Sequence, residues 1–215
     1  MNPYYQDDHI TLYHADCLQH LDMLNQADVL ITDPPYGIGW RIGDNPKRSS
    51  SAHVGIQNDA DTTARDTVLA AWGNEKPGVV FAGWKKPLAN FTDLLVWKKP
   101  IDAGVVGSIT GFRRDTEAIY LTGAWPRRQS TWTSVLETTG GKARYYAGHP
   151  HSKPVPLLER LIALTPGTVI DPFAGSGSTL RAAKNLGRKA IGFEIEEKYC
   201  EITAQRCAQE TLGIF

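Results

Sequence analysis

Thr168-Val169-Ile170-Asp171-Pro172-Phe173-Ala174-Gly175-Ser176-Gly177-Ser178-Thr179 reads as a short apolar strand that breaks into a glycine turn and re-enters as a helix. In an α/β sheet that junction presents backbone amides and a helix N-terminus to a ligand. The helix runs from Ser178 to about Leu186, and Ala190-Ile191-Gly192-Phe193 supplies the next strand. Working outward, Ile10 to His14, Val29 to Thr32, Val79 to Phe81, Leu94 to Trp97 and Ala118 to Leu121 have the apolar character of strands. Helical spacing is expected over Asp16 to Asn25 (Leu18, Leu21, Leu24), Thr62 to Trp72, Pro156 to the Thr165-Pro166-Gly167 stop, and Glu196 to Leu212. Seven strands alternating with helices predict an α/β architecture: a mostly parallel sheet covered on both faces.

Two stretches break the rhythm. Gly37 to Asp59, rich in Gly and Ser, predicts a long mobile loop, and loops of that length in compact domains usually serve function. Gly123 to Gly148 interleaves Trp125, Trp132, Tyr145 and Tyr146 with Arg127, Arg128, Lys142 and Arg144, as a nucleic-acid surface does when cations meet phosphate and rings meet bases. The charge distribution agrees. The 215 residues sum to zero net charge, yet residues 1–40 contain six acids and no Lys or Arg, while residues 84–144 are net +5.

A chain of this length, 41% hydrophobic, buries roughly 70% of its extended surface, which excludes a miniprotein, a fibre or a disordered tail. One domain over residues 1–215 is expected. No apolar run is long enough to span a membrane, and Met1 to Asp8 lacks the features of a signal peptide, so a cytoplasmic location is expected. Cys17, Cys200 and Cys207 form no Cys-x-x-Cys pair and read as packing residues of a reducing compartment. His149 and His151 lack a third nearby ligand, and no metal is expected.

The glycine turn departs from two familiar phosphate binders. Leu180 stands where G-x-G-x-x-G needs its third glycine, and no Gly-Lys-Ser/Thr follows. Glu194 ends the next strand, 19 residues beyond Gly175, where an acid accepts ribose hydroxyls; nicotinamide and S-adenosylmethionine cofactors both survive that test. Asp171 separates them, because it would repel a pyrophosphate and attract an ammonium group. Asp33-Pro34-Pro35-Tyr36 closes the strand Val29 to Thr32 and is aimed by the strand-end rule into the same crevice. Asp-Pro and Pro-Pro are ordinary turn ingredients, but this set has a chemical logic as well. The Asp33 carboxylate and the Pro34 carbonyl can each accept one N–H of an exocyclic base amine, freeing a lone pair otherwise delocalised into the ring, while Tyr36 stacks on the base.

Together, Asp33-Pro34-Pro35-Tyr36 and Asp171 to Thr179 resemble the amino-group DNA methyltransferases, which make N6-methyladenine or N4-methylcytosine. The resemblance covers nearly the whole chain and extends to Leu12 to Asp16, Trp97-Lys98-Lys99-Pro100, Arg113 to Ile119 and His149 to Pro154. With the catalytic tetrapeptide first and the glycines last, the order resembles the circularly permuted beta group. It implies a three-layer, Rossmann-like methyltransferase fold dependent on S-adenosylmethionine, with a seven-stranded sheet and a recognition insertion of only 26 residues at Gly123 to Gly148. The implied catalytic residues are Asp33, Pro34, Pro35 and Tyr36. The implied cofactor set is Asp16, Cys17, Asp33, Ser152, Lys153, Asp171, Phe173, Ala174, Gly175, Ser176, Gly177, Ser178, Thr179, Glu194 and Ile195, with Ser152 and Lys153 near the methionine carboxylate.

The partner implied is double-stranded DNA, with one base flipped out of the helix. Arg41, Lys47 and Arg48 of the long loop would close over the backbone, and Arg127, Arg128, Lys142 and Arg144 would hold phosphates or read base edges. Asp rather than Ser before Pro-Pro-Tyr favours adenine within the family; cytosine N4 is the nearest alternative. RNA or protein-glutamine methylation, an oxidoreductase and a non-catalytic DNA-binding relic are the more distant ones. A homodimer and a cognate restriction enzyme are further partners the resemblance leaves open.

Overall fold

Val29-Leu30-Ile31-Thr32 and Gly78 to Ala82 are buried at every position, the mark of strands covered on both faces. In the computed structural model, which describes residues 1–39, 57–100, 115–126, 132–138 and 152–209, nine strands form one sheet. They are β1 (Tyr5–Gln6), β2 (Ile10–His14), β3 (Val29–Thr32), β4 (Gly78–Ala82), β5 (Asp93–Lys98), β6 (Thr116–Thr122), β7 (Val135–Glu137), β8 (Val169–Asp171) and β9 (Ala190–Glu194). Their spatial order is β1-β2-β9-β8-β3-β4-β6-β5-β7. The run β2-β9-β8-β3-β4 is parallel throughout. Beyond it, β6 is reversed against both β4 and β5.

The helices are α1 (Thr63–Trp72), α2 (Val155–Ala163), α3 (Ser178–Asn185) and α4 (Glu197–Ala208). Alternate strand residues feed two cores. Ile10, Leu12, Val29, Ile31, Val79 and Phe81 pack with Leu157, Leu161 and Leu180 under α2 and α3. Leu30, Val80, Ile170 and Phe193 pack with Val68 and Trp72 of α1 on the other face. This is the period-two division of a three-layer sandwich. No helix among the described residues is long and apolar enough to cross a membrane.

All seven expected strands are present, and the two additional ones lie at the sheet edges. Tyr5–Gln6 and Val135–Glu137 are too short to show a period, and only their partners, Thr11–Leu12 and Val96–Lys98, define them. Val135–Glu137 lies within the stretch expected to be a recognition insertion, and it pairs with β5 at the edge of the sheet. The helix expected over Asp16 to Asn25 is replaced by two short 3₁₀ segments, Cys17–Gln19 and Leu21–Gln26. The Asp16 carboxylate accepts from the Leu18 amide, and His20 (φ −137°, ψ 38°) breaks the chain between them.

β3 and β8 are neighbours whose crossovers leave in opposite directions. β8 continues through α3 to β9, whereas β3 leads to α1 and β4 on the other face. Such a topological switch point opens a crevice at the carboxyl ends of the two strands. There the turn after β8 holds Gly177 at φ +75°, where a Cβ would lie 2.5 Å from Thr203 Cγ2 of α4. Gly177→Ala therefore combines left-handed backbone strain with a steric clash, and a loss of about 2–4 kcal/mol in chemical denaturation is expected. Adding Thr203→Ser, which removes the clashing methyl, should restore part of that loss.

Candidate active site

The crevice is lined by acids that follow or end four adjacent strands: Asp16 after β2, Glu194 on β9, Asp171 on β8 and Asp33 after β3. The two sequence-distant motifs are bonded together here. Thr32 Oγ1 donates to Asp171 Oδ1 at 2.8 Å across the β3–β8 pair, and the Phe173 amide donates to the same oxygen at 3.1 Å. Thr179 also hydrogen-bonds Asp171. Asp171 is 2% exposed, and burial pushes its carboxyl up to about 6. Much of this acid's capacity is thus used to tie the glycine turn to the tetrapeptide strand.

Glu194 is also buried, and its acidity is weakened by desolvation. Its two oxygens accept the amides of Gly175 and Glu196, both at 2.8 Å, which fixes the carboxylate between the glycine turn and α4. Thr203 Oγ1 holds the Gly175 carbonyl at 3.0 Å, and Arg206 Nη1 binds the Ser176 carbonyl and Ser178 Oγ at 2.9 and 3.0 Å. Ser176 Oγ shares a short hydrogen bond with Ser152 Oγ, which joins the approach to α2 to the turn. Ile195, a half-buried neighbour of Glu194, has its carbonyl 3.1 Å from His14 Nε2. Cys17 is buried beside Asp16 with its thiol pushed up to about 12 by desolvation, which makes it an inert packing group. Ala174, Ser178 and Thr179 are buried and Phe173 is half-buried.

Around the tetrapeptide stands a second cluster that sequence reasoning only partly assembled. Pro34 is buried; Asp33, Pro35 and Tyr36 are half-buried. Tyr36 donates to Asp33 Oδ1 at 2.8 Å and makes a shorter bond to Glu117 Oε1. Its phenol has one proton to share between two carboxylates, and both raise its pKa well above the ordinary value in addition to burial. Lys153 Nζ lies 2.5 Å from Asp33 Oδ2 and 3.0 Å from Glu117 Oε1, and Lys99 Nζ lies 2.7 Å from Glu117 Oε2. Despite burial, the two ammonium groups hold the Glu117 carboxyl down to about 2. For Asp33, burial dominates and its pKa is raised.

Glu117 and Lys99 carried no expected role. Both lie in segments whose family likeness was visible, but their convergence depends on β6 running antiparallel, which brings its amino end to the carboxyl ends of β4 and β5. Lys153 was expected near a methionine carboxylate, and its ammonium is found on Asp33 and Glu117. Gly83 completes the pocket wall: a Cβ there would stand 3.1 Å from Tyr36 Cδ2. The next residue, Trp84, is 63% exposed beside Lys85. Of the stretch 37–59 expected to be a long loop, residues 40–56 lie outside the described residues; its two ends meet at Asp59, whose carboxylate accepts from the Gly37 amide at 2.8 Å and whose carbonyl accepts from the Gly39 amide at 2.7 Å. Arg41, Lys47, Arg48, Arg127, Arg128, Lys142 and Arg144, expected at DNA, lie outside the described residues, as do His149 and His151.

Comparison with known proteins assigns this arrangement to a family. Residues 121–205 match the DNA methylase family N6_N4_Mtase. The chain is 30% identical over 210 residues to "Putative methylase YubD" of Escherichia coli (strain K12), covering 90% of this chain and 88% of the relative. The chain belongs to the N6/N4 DNA methylase family. Two solved structures share the methylase fold. M1.HpyAVI in complex with SAM superposes with a TM-score of 0.64 at 22% identity, over 93% of this chain and 100% of that one. The cytosine-N4-specific PvuII DNA methyltransferase superposes with a TM-score of 0.66 at 18% identity, over 98% and 90%.

Within this methylase, Asp171 is costly to stability. A carboxyl displaced from 3.8 to about 6 holds its ionised form about 3 kcal/mol less favourably than water does. The folded state retains the proton longer than the unfolded chain. Stability from this group is therefore greatest below about pH 4, falls as pH rises to about 6, and is level above that. Relative to the native protein, Asp171→Asn should gain melting temperature as pH is raised through that window. Calorimetric scans at about pH 4 and 7 check it; a pH-independent difference refutes the assigned cost.

Proposed function

We propose that this chain transfers a methyl group from S-adenosylmethionine to the exocyclic amine of a base flipped from double-stranded DNA, with adenine N6 as the target, and that it is a permuted, beta-group enzyme. The observation that carries the reading is the Thr32–Asp171 bond, which sets the acid of Asp-Pro-Pro-Tyr and the glycine turn side by side at one switch point.

The residues suit this cofactor. A row of carboxylates on adjacent strand ends disfavours a pyrophosphate and favours a ligand bearing ammonium and sulfonium charge together with ribose hydroxyl donors. The oxygens of Glu194 are spaced by backbone amides and keep lone pairs for a pair of hydroxyls. Asp16, Ser152 and the turn Phe173 to Thr179 would complete the cradle. When bound, the cofactor supplies a methyl group on a positively charged sulfur and departs as a neutral thioether.

The chain's own contribution is placement and charge. Asp33 and the Pro34 carbonyl accept the two amine hydrogens and draw the nitrogen toward tetrahedral geometry. As the carbon–nitrogen bond formed and the carbon–sulfur bond broke, the positive charge would pass to nitrogen, where the Asp33 carboxylate would stabilise it until the N–H proton passes to water. Flipping costs a few kcal/mol, offset by stacking on Tyr36. Adenine is favoured by Asp in the first position of the tetrapeptide. The same acceptors can hold a cytosine amine, and the cytosine-N4-specific PvuII enzyme shares the fold, so cytosine N4 is the second reading.

Labelled methyl transfer to unmethylated genomic DNA tests the proposal. Asp33→Ala should reduce transfer by about a hundredfold or more. Glu194→Gln should instead raise the cofactor dissociation constant measured by calorimetry without DNA. Nucleoside analysis of the product should show N6-methyladenine; N4-methylcytosine would transfer the assignment to the second reading.

A further inference from the structure

Both oxygens of Asp33 are engaged before any base arrives, Oδ1 by the Tyr36 hydroxyl and Oδ2 by the Lys153 ammonium at 2.5 Å. Under the transferase reading, on which this inference rests, that pairing opposes the reaction. The ammonium withdraws electron density from the oxygen that must hold the target amine, and it places a positive charge beside the nitrogen that becomes positive during transfer. An acceptor for Lys153 is already in contact. Glu117 Oε1 lies 3.0 Å from Lys153 Nζ, and it accepts from the same Tyr36 hydroxyl. Lys99 neutralises the second oxygen of Glu117 at 2.7 Å, and the Glu117 side chain is only 10% exposed.

We propose that Glu117 is a positioning residue of methyl transfer: it draws Lys153 and the Tyr36 hydroxyl off Asp33, so that the carboxylate is released to the amine of the target base. No backbone movement is required, because Lys153 and Tyr36 already touch both acids. The charge count supports the exchange. Two carboxylates and two ammonium groups balance at rest; once both ammonium groups lie on Glu117, the charge of Asp33 is matched by the developing cation on nitrogen. Among the described residues, the charged or titratable groups facing Asp33 are Lys153 before α2, Glu117 on β6, Tyr36 of its own turn and Asp171 on β8, with Lys99 behind Glu117.

The test is single-turnover transfer from labelled S-adenosylmethionine to unmethylated genomic DNA, followed over pH, for the unaltered chain, Glu117→Gln and Glu117→Asp. Glu117→Gln keeps the shape and removes the charge. Its plateau rate should fall about tenfold or more with cofactor and DNA dissociation constants within about twofold. Its acid limb should move to lower pH, because Asp33 loses a like-charged neighbour and keeps Lys153 to itself. Glu117→Asp retains the charge and should recover most of the rate. Coincident rates and limbs for the unaltered chain and Glu117→Gln overturn the role of Glu117 alone. A slower Gln variant with an unshifted limb, and an Asp variant no better, also overturns it by marking mere structural support. Absence of transfer by the unaltered chain overturns the transferase reading itself.

Discussion

The parallel pairing of β3 with β8, closed at its carboxyl end by the Thr32–Asp171 hydrogen bond, is the constraint from which the site follows. The two strands lie 140 positions apart along the chain, from Val29 to Val169, yet their in-register pairing puts both motifs at one edge of the sheet. The crossovers leave this pair toward opposite faces, the arrangement that opens a crevice at the carboxyl ends of the strands, and no helix among the described residues joins β3 directly to β8. Had either strand shifted by one residue, alternate side chains would have exchanged faces, and Val29 and Ile31 would have left the core beneath α2 and α3.

Electrostatics in the cleft separate into two regimes. On the glycine-turn side, Asp171 and Glu194 are buried with hydroxyl and amide donors but with no cation bonded to them among the described residues, so desolvation dominates and both pKa values are raised. That unfavourable burial is what gives a cationic ligand something to satisfy. On the tetrapeptide side, Glu117 and Asp33 share Lys153, and Glu117 has Lys99 as well. Buried ion pairs add little net stability once desolvation is counted, and their better-attested use is to fix one geometry. Here they orient Tyr36, which Gly83 presses from the other side.

Much of this was legible in residues 1–209 before any coordinates. Seven of the nine strands announced themselves by clustered or alternating apolar residues, and the four helices by their spacing, with Pro or Gly beside α1, α2 and α3. The readings that differed lay where local signal is weakest. Leu18, Leu21 and Leu24 have helical spacing, but the Asp16 side-chain bond and the backbone at His20 divide the segment into two 3₁₀ turns. β1 and β7 exist because neighbouring strands offer open edges.

For the site, the sequence by itself determined the chemistry available: an acid and an aromatic around two prolines, a glycine turn preceded by an acid, and a second acid one strand later. Those types and their order along the chain are local properties, readable without a partner. Only the tertiary structure decided which groups meet. Lys153 faces Asp33 across 120 positions and Glu117 across 36, and these contacts depend on the reversal of β6 and on the entry of α2 beside β3. No periodicity encodes such a meeting, because the contact is set by sheet order and register, which the chain settles only when its strands have paired.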